Sequence, residues 1–252
     1  MPGMPEELVH YAVSDAVATI TLDSQHNRNA LSQQLVTELV ERLERADADL
    51  EAKVVLVRQE GPVFCSGADL SEATGVGMEE GARRIVALQR LIAALDKPVV
   101  TRVAGAVRAG GIGIVAASDV ALSADDATYA LTEVKLGLAA AIISLTVHAR
   151  MNPRAAALTT LGGEVFTGEQ AAEYGLVTRA VPLDDLDDAV ATVCGQLATG
   201  SVQGLRESKR ILNADLVRRI DALGDDMATL SARLFGSDEA REAMTAFLNR
   251  KK

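Results

Sequence analysis

Three short stretches of this sequence carry residue types that can do chemistry. Phe64-Cys65-Ser66-Gly67-Ala68-Asp69-Leu70 and Arg108-Ala109-Gly110-Gly111-Ile112-Gly113 are glycine-containing loops, each following a strand-like run and leading toward a helix. Small residues let the main chain approach a ligand closely and leave N–H groups free to donate. Two such groups aimed at one point make an oxyanion hole for charge developing on an oxygen. The same glycines also suit tight turns and close helix packing, and the loops alone do not choose between these readings. The third stretch is Tyr129-Ala130-Leu131-Thr132-Glu133-Val134-Lys135-Leu136-Gly137. Glu133 sits between apolar neighbours just past a strand-like segment. A carboxyl partly withdrawn from water has a raised pKa and can shuttle a proton. A salt bridge to Lys135, or a buried cap, is the competing structural reading.

Other reactive residues point to less. Neither loop has the GxGxxG spacing of a dinucleotide site, and no phosphate-binding lysine follows. His10, His26 and His148 share no metal-ligand spacing. Cys65 has no base in a defined relation to it and reads as an inert buried thiol. Asp119 reads as a support of the fold, by capping or pairing.

Periodicity supplies the elements that must position these groups. Residues 16–22 alternate as a strand, and residues 53–58 form a short buried-strand run. Leu31, Leu35, Leu39 and Leu43 stripe a helix over residues 31–48. A second helix over 79–95 is stopped by Lys97-Pro98. A strand at 99–103 precedes a small-residue helix at 112–118. Short strands follow at 119–122 and 129–131, helices at 138–149, 153–161 and 168–174, and a last strand at 176–181. Beyond residue 183 only helical patterns remain, over 186–197, 202–219, 221–235 and 238–250. The expected organisation is an α/β body of residues 1–182 followed by a helical region of residues 183–252.

Composition narrows the function classes. A chain of 252 residues supports a full core. With 48% apolar and 24% charged residues it is not a disordered chain. Aromatics at 3%, no Trp and a net charge of −10 argue against a nucleic-acid partner. The two cysteines lie far apart in sequence, which fits a reducing cytoplasm. The first ten residues lack the pattern of a signal peptide, and the chain lacks an apolar run of bilayer length. The expectation is a cytoplasmic protein without a membrane partner.

Six further strings, taken in order, define a resemblance. They are NRNALS (27–32), FCSGADL (64–70), KPVVTRVAGAVRAGGIGI (97–114) with Ser118-Asp119, LTEVKLGL (131–138), FTGEQAAEYGLV (166–177) and FGSDEAREAMTAF (235–247). Their order and spacing resemble the enoyl-CoA hydratase/isomerase, or crotonase, family over nearly the whole chain. The resemblance implies an α/β fold, a crotonase-type spiral of repeated ββα units with a C-terminal helical trimerisation region. It implies a homo-oligomer, a trimer or dimer of trimers, acting on an acyl-CoA thioester. The backbone N–H groups of Ala68 and Gly110 would hold the thioester oxygen, and Glu133 would be the general acid/base. CoA contacts would come from Arg28, Ser66, Ala68, Asp69 and Leu70, with Phe235, Phe247 and Arg250 adding the C-terminal side. No metal or redox cofactor is implied, because CoA is part of the substrate.

One departure matters for the reaction. Hydratases of this family use two glutamates, and here the second is Glu133 while the first position is Gly113. The expected activity is that of an enoyl-CoA hydratase, adding water to a 2-enoyl-CoA through a stabilised enolate. Isomerisation of the double bond by Glu133 alone is the alternative, and non-catalytic acyl-CoA binding is a third. Residues 132–144, TEVKLGLAAAIIS, resemble a subset acting on branched or glutaconyl-type thioesters, without the usual proline after Leu-Gly. The space beside Gly113 discriminates. Ordered water held by polar groups favours hydration, and a dry apolar wall favours isomerisation.

Overall fold

The computed structural model describes residues 7–69, 72 and 77–249. Strands β1 (Val9–Ser14) and β2 (Val17–Leu22) form an antiparallel hairpin. Its two-residue turn, Asp15-Ala16, has positive φ at both positions (51° and 62°), as the twist of a tight hairpin requires. Sequence patterning places one strand here instead of two, because Asp-Ala lacks the glycine that signals such a turn.

Helix α1 (Gln33–Ala48) follows, its N-terminus capped by the Ser32 hydroxyl, which accepts from Leu35 N at 3.2 Å. The chain then alternates between two sheets. Strands β3 (Val54–Gln59), β5 (Val99–Val103) and β7 (Val120–Ala124) enter a large sheet. Strands β4 (Val63–Cys65), β6 (Ala106–Arg108) and β8 (Thr128–Ala130) enter a small one. Helix α2 (Gly77–Ala94) follows β4, and α3 (Gly110–Ala117) follows β6. After β8 come a 3-10 turn (Thr132–Leu136) and α4 (Ala141–Arg150). These are repeated ββα units. Helix α5 (Pro153–Gly162), β9 (Phe166–Thr167), α6 (Gly168–Glu173) and β10 (Arg179–Val181) complete the sheets. The large sheet has the order β1-β2-β3-β5-β7-β10 and the small one β4-β6-β8-β9. Strands β4, β6 and β8 are parallel neighbours.

The last elements are α7 (Leu186–Ala198), α8 (Val202–Phe235) and α9 (Asp238–Asn249). Residues 202–219 and 221–235, expected as two helices, are one helix of 34 residues. The expected break falls at Ile220, which is buried against Val86, Ala93, Leu145 and Leu216. The buried positions of α8 continue through it at three- and four-residue steps from Lys209 to Ser231.

A buried charged contact anchors α8 to the body, beside the exposed pairs Arg83–Asp225 and Arg90–Asp221. Asp119 accepts from Val99 N (2.7 Å), from Lys209 Nζ (2.9 Å) and from Asn213 Nδ2 (2.7 Å). Lys209 is 3% exposed and also donates to Ile92 O and Lys97 O, each at 2.9 Å. Removing one partner of such a pair leaves the other charge buried and uncompensated. Asp119→Ala should therefore lower the unfolding free energy by about 3 kcal/mol in urea denaturation. A loss below about 1 kcal/mol, the range of an exposed pair, would contradict the anchoring role.

Candidate active site

The small sheet brings the three chemical stretches together. Because β4, β6 and β8 run parallel, their C-terminal ends lie on one edge. Neighbouring strands are about 4.8 Å apart, so the loops that leave β4 and β8 start within about 10 Å of each other. Ala68 lies just past β4, Gly110 just past β6, and Glu133 just past β8. Short strands decide this placement. Sequence patterning places β4 and β6 inside loops, since three-residue strands carry no periodic signal.

The first two loops are in contact. A Cβ placed on Gly67 would lie 2.9 Å from Ala109 Cβ, and φ at Gly67 is +98°. Leu31 N donates to Gly67 O at 2.8 Å, and Leu31 forms a parallel bridge with Ala68. A Cβ on Gly110 would meet Leu31 Cδ1 at 2.6 Å. Leu31 thus pairs with one loop and covers the other. Gly110 begins α3, two residues earlier than periodicity suggests. Its amide belongs to the first turn, which has no carbonyl one turn earlier and carries the positive end of the helix dipole. Among the described residues neither Ala68 N–H nor Gly110 N–H has a protein acceptor.

Glu133 faces the larger of two cavities. The residue as a whole is partly exposed, but its Oε2 is buried with no hydrogen-bond partner. Burial pushes its carboxyl above the ordinary carboxylate range, and its own backbone hydrogen bond opposes this only in part. The competing salt bridge is absent, because Lys135 pairs with Glu164 at 2.8 Å. Helix α9 packs against the same turn, where a Cβ on Gly137 would lie 3.1 Å from Ala240 N.

The larger cavity has a volume of about 1060 Å³, and its walls include Arg28, Ser66, Ala68, Asp69, Glu133 and Phe235. The structure therefore assembles six of the residues singled out by sequence. Gly110 sits behind Ala109, which lines the cavity. Leu70, Arg250 and the side chain of Phe247 lie outside the described residues. The turn carrying Arg28 is tied down by Ser66 N to Arg28 O (3.1 Å), Ser66 Oγ to Asn27 O (3.2 Å) and Asn27 Nδ2 to Asp69 Oδ2 (3.1 Å). A second, smaller recess of about 90 Å³ has Leu31, Val36, Ile85 and Ile142 on its apolar side and Glu72 and Arg84 on its polar side, and shares Ala68, Asp69 and Phe235 with the first.

Three features escaped the sequence reading. Arg108, on the cavity wall, clamps β6 to β8 by donating to Val107 O (2.8 Å) and Thr128 O (2.6 Å). Leu31 bridges the two glycine loops, whereas its spacing marked it only as part of the α1 stripe. Gln89 fills the space beside Gly113 together with Ile143, so a side-chain amide and a methyl group occupy it. A lone glutamine on the apolar face of a helix gives no motif to find. Cys65 is buried, with its thiol pushed up to about 12 by desolvation, as an inert thiol should be.

Comparison with known proteins gives a consistent picture. The family model described as Enoyl-CoA hydratase/isomerase matches residues 12–252. The chain is similar to the crystal structure of an enoyl-CoA hydratase from Mycobacterium avium, with 42% identity, a TM-score of 0.92 and 97% of each chain covered. An enoyl-CoA hydratase from Mycobacterium avium subsp. paratuberculosis K-10 shares 29% identity at a TM-score of 0.86, covering 98% of this chain and 97% of that one. Enoyl-CoA hydratase domain-containing protein 3, mitochondrial, from Danio rerio is 27% identical over 100% of this chain and 89% of its own length.

The raised pKa of Glu133 has a thermodynamic signature. Its folded-state pKa is raised, so the folded state holds this proton more tightly than the unfolded chain does. Stability is then lost as pH rises from the unfolded value through the folded one. Glu133→Gln removes that loss. The variant should melt at a higher temperature than the parent at pH 7 to 8, with the gap closing toward pH 4. An equal or lower melting temperature at pH 8 would mean that the carboxylate is compensated.

Proposed function

The chain belongs to the enoyl-CoA hydratase/isomerase family, and from that premise we propose that it moves a proton on the acyl part of an enoyl-CoA thioester, with Glu133 as the general acid/base. The observation that carries this reading is the unpartnered Oε2 of Glu133 on the same cavity as the loops bearing the Ala68 and Gly110 amides. The thioester oxygen would take those two N–H groups. As Glu133 removes a proton from the adjacent carbon, charge builds on that oxygen, where fixed dipoles need no reorganisation. Arg28 supplies a cation for a CoA phosphate, Ser66 and Asp69 hold the loop along which CoA would lie, and Phe235 packs at the junction of the two cavities. CoA is substrate, and no separate cofactor enters the scheme.

Double-bond migration is the reaction this geometry favours. Glu133 takes a proton from the α-carbon of a 3-enoyl thioester and returns it to the γ-carbon. The other carboxylate on the cavity wall, Asp69, accepts from Asn27. Hydration of a 2-enoyl thioester is the second reading, favoured by the hydratase names of the relatives. The same premise carries assembly as a trimer or dimer of trimers through residues 183–252, in the cytoplasm. Ile211 and Leu212 on α8, 77% and 78% exposed, offer apolar surface for such contacts.

Crotonyl-CoA and 3-butenoyl-CoA, supplied separately, test the reaction. Turnover of 3-butenoyl-CoA should exceed hydration of crotonyl-CoA, and its kcat/KM should rise with pH through the raised pKa of Glu133, which must be ionised to act. Glu133→Gln should retain CoA binding and lose about 1000-fold in kcat. Near-parent activity in that variant would refute the acid/base assignment. Binding without turnover of either thioester would point to a non-catalytic acyl-CoA-binding protein.

A further inference from the structure

Gln89 stands where α3 meets α2 and α4. It is 1% exposed, and its amide is fully engaged. Nε2 donates to Ile85 O (3.2 Å) and Ile142 O (3.1 Å), and Oε1 accepts from Thr146 Oγ1 (2.7 Å). A Cβ on Gly113 would lie 2.9 Å from Gln89 Oε1, 3.0 Å from its Cδ and 2.8 Å from Ile143 Cγ2. A flexible side chain end could normally move aside. This one is held by three hydrogen bonds, and moving it would strand buried polar groups.

The location makes this packing relevant to the reaction. Gly113 is three residues beyond Gly110 and shares its helix face. Ile85, one turn before Gln89 on α2, lies 3.8 Å from the Cβ position of Gly110. Ile85 and Ile142, whose carbonyls Gln89 holds, also line the apolar side of the recess beside Ala68. Through those two hydrogen bonds Gln89 stands one layer behind the wall of that recess.

We infer that Gln89 is a positioning residue that sets the reaction outcome, by filling the place beside Gly113 and keeping water away from that side of the enolate. The inference deepens the proton-shuttle reading above and rests on it. Migration consumes nothing: a C–H bond breaks at the α-carbon, the electron pair spreads to the thioester oxygen and the γ-carbon, and Glu133 returns the same proton there. Hydration instead joins a water oxygen to the β-carbon and a proton to the α-carbon, so it needs a held water. Gln89→Ala would open a space facing the Thr146 hydroxyl and the Ile142 carbonyl, two partners able to hold one.

Two measurements test this, one independent of catalysis. Gly113→Ala should lower the melting temperature by about 5 °C in the parent, as overpacking does. In a Gln89→Ala background it should lower it by less than half as much. With 3-butenoyl-CoA, Gln89→Ala and the milder Gln89→Asn should raise the ratio of 3-hydroxybutyryl-CoA to crotonyl-CoA formed by about tenfold. Gln89→Leu, which keeps the place filled, should leave that ratio at the parent value. A purely structural role would slow both products together. Equal melting losses in the two backgrounds, or an unchanged ratio in active Gln89→Ala and Gln89→Asn enzymes, would overturn the inference and leave the proposed function standing. A parent that turns over neither thioester would overturn both.

Discussion

A carboxylate oxygen held away from water without a partner is the constraint on which the rest of this structure depends. Burying a charge that nothing compensates is unfavourable, and the protein responds by raising the pKa of Glu133. A carboxyl raised in this way meets a physical requirement of a general acid/base. The neighbouring loops add a complementary feature, two amides without protein acceptors. A negatively charged intermediate would satisfy the amides, and its proton would satisfy the carboxylate. Polar groups left unsatisfied at a cavity amount to a preorganised site.

The fold exists around that site in a specific sense. Strands β4 and β6 have three residues each, and so does β8, too few to stabilise a sheet alone. They are held because each is preceded by a strand of the large sheet, with α2, the wholly buried α3 and α4 packed against one another. Parallel order then brings three separate loops to one edge. The buried Lys209–Asp119 contact fastens α8 against the body, and the end of α8 delivers Phe235 to both cavities. Helix α9 continues from there to cover the turn that carries Glu133.

Gly113 gains its meaning from its neighbours. Read alone it is a missing carboxylate. In the structure the space is taken by a satisfied amide and an isoleucine methyl. Glycine is the residue that fits there without displacing them. The departure from a two-glutamate arrangement is thus built into the packing of three helices, beyond a change at one position.

The sequence alone was enough for the α/β class, most of the periodic helices and the family, and it singled out Ala68, Gly110 and Glu133 as candidates. Those signals are local: side-chain periodicity, glycine spacing, and ordered motifs. It did not show the first hairpin strand, the strands β4 and β6 of the small sheet or the unbroken α8, because elements of three residues have no period and the continuity of α8 rests on the packing of buried positions such as Ile220. The salt bridge weighed for Glu133 was settled by Glu164, 29 residues past Lys135 in sequence. Gln89 became visible only through its distance to Gly113. Residue types and their spacing decide what chemistry is available. Which oxygen stays unpartnered, and which space is filled, depends on groups distant in sequence meeting in space, and only the tertiary structure decides that.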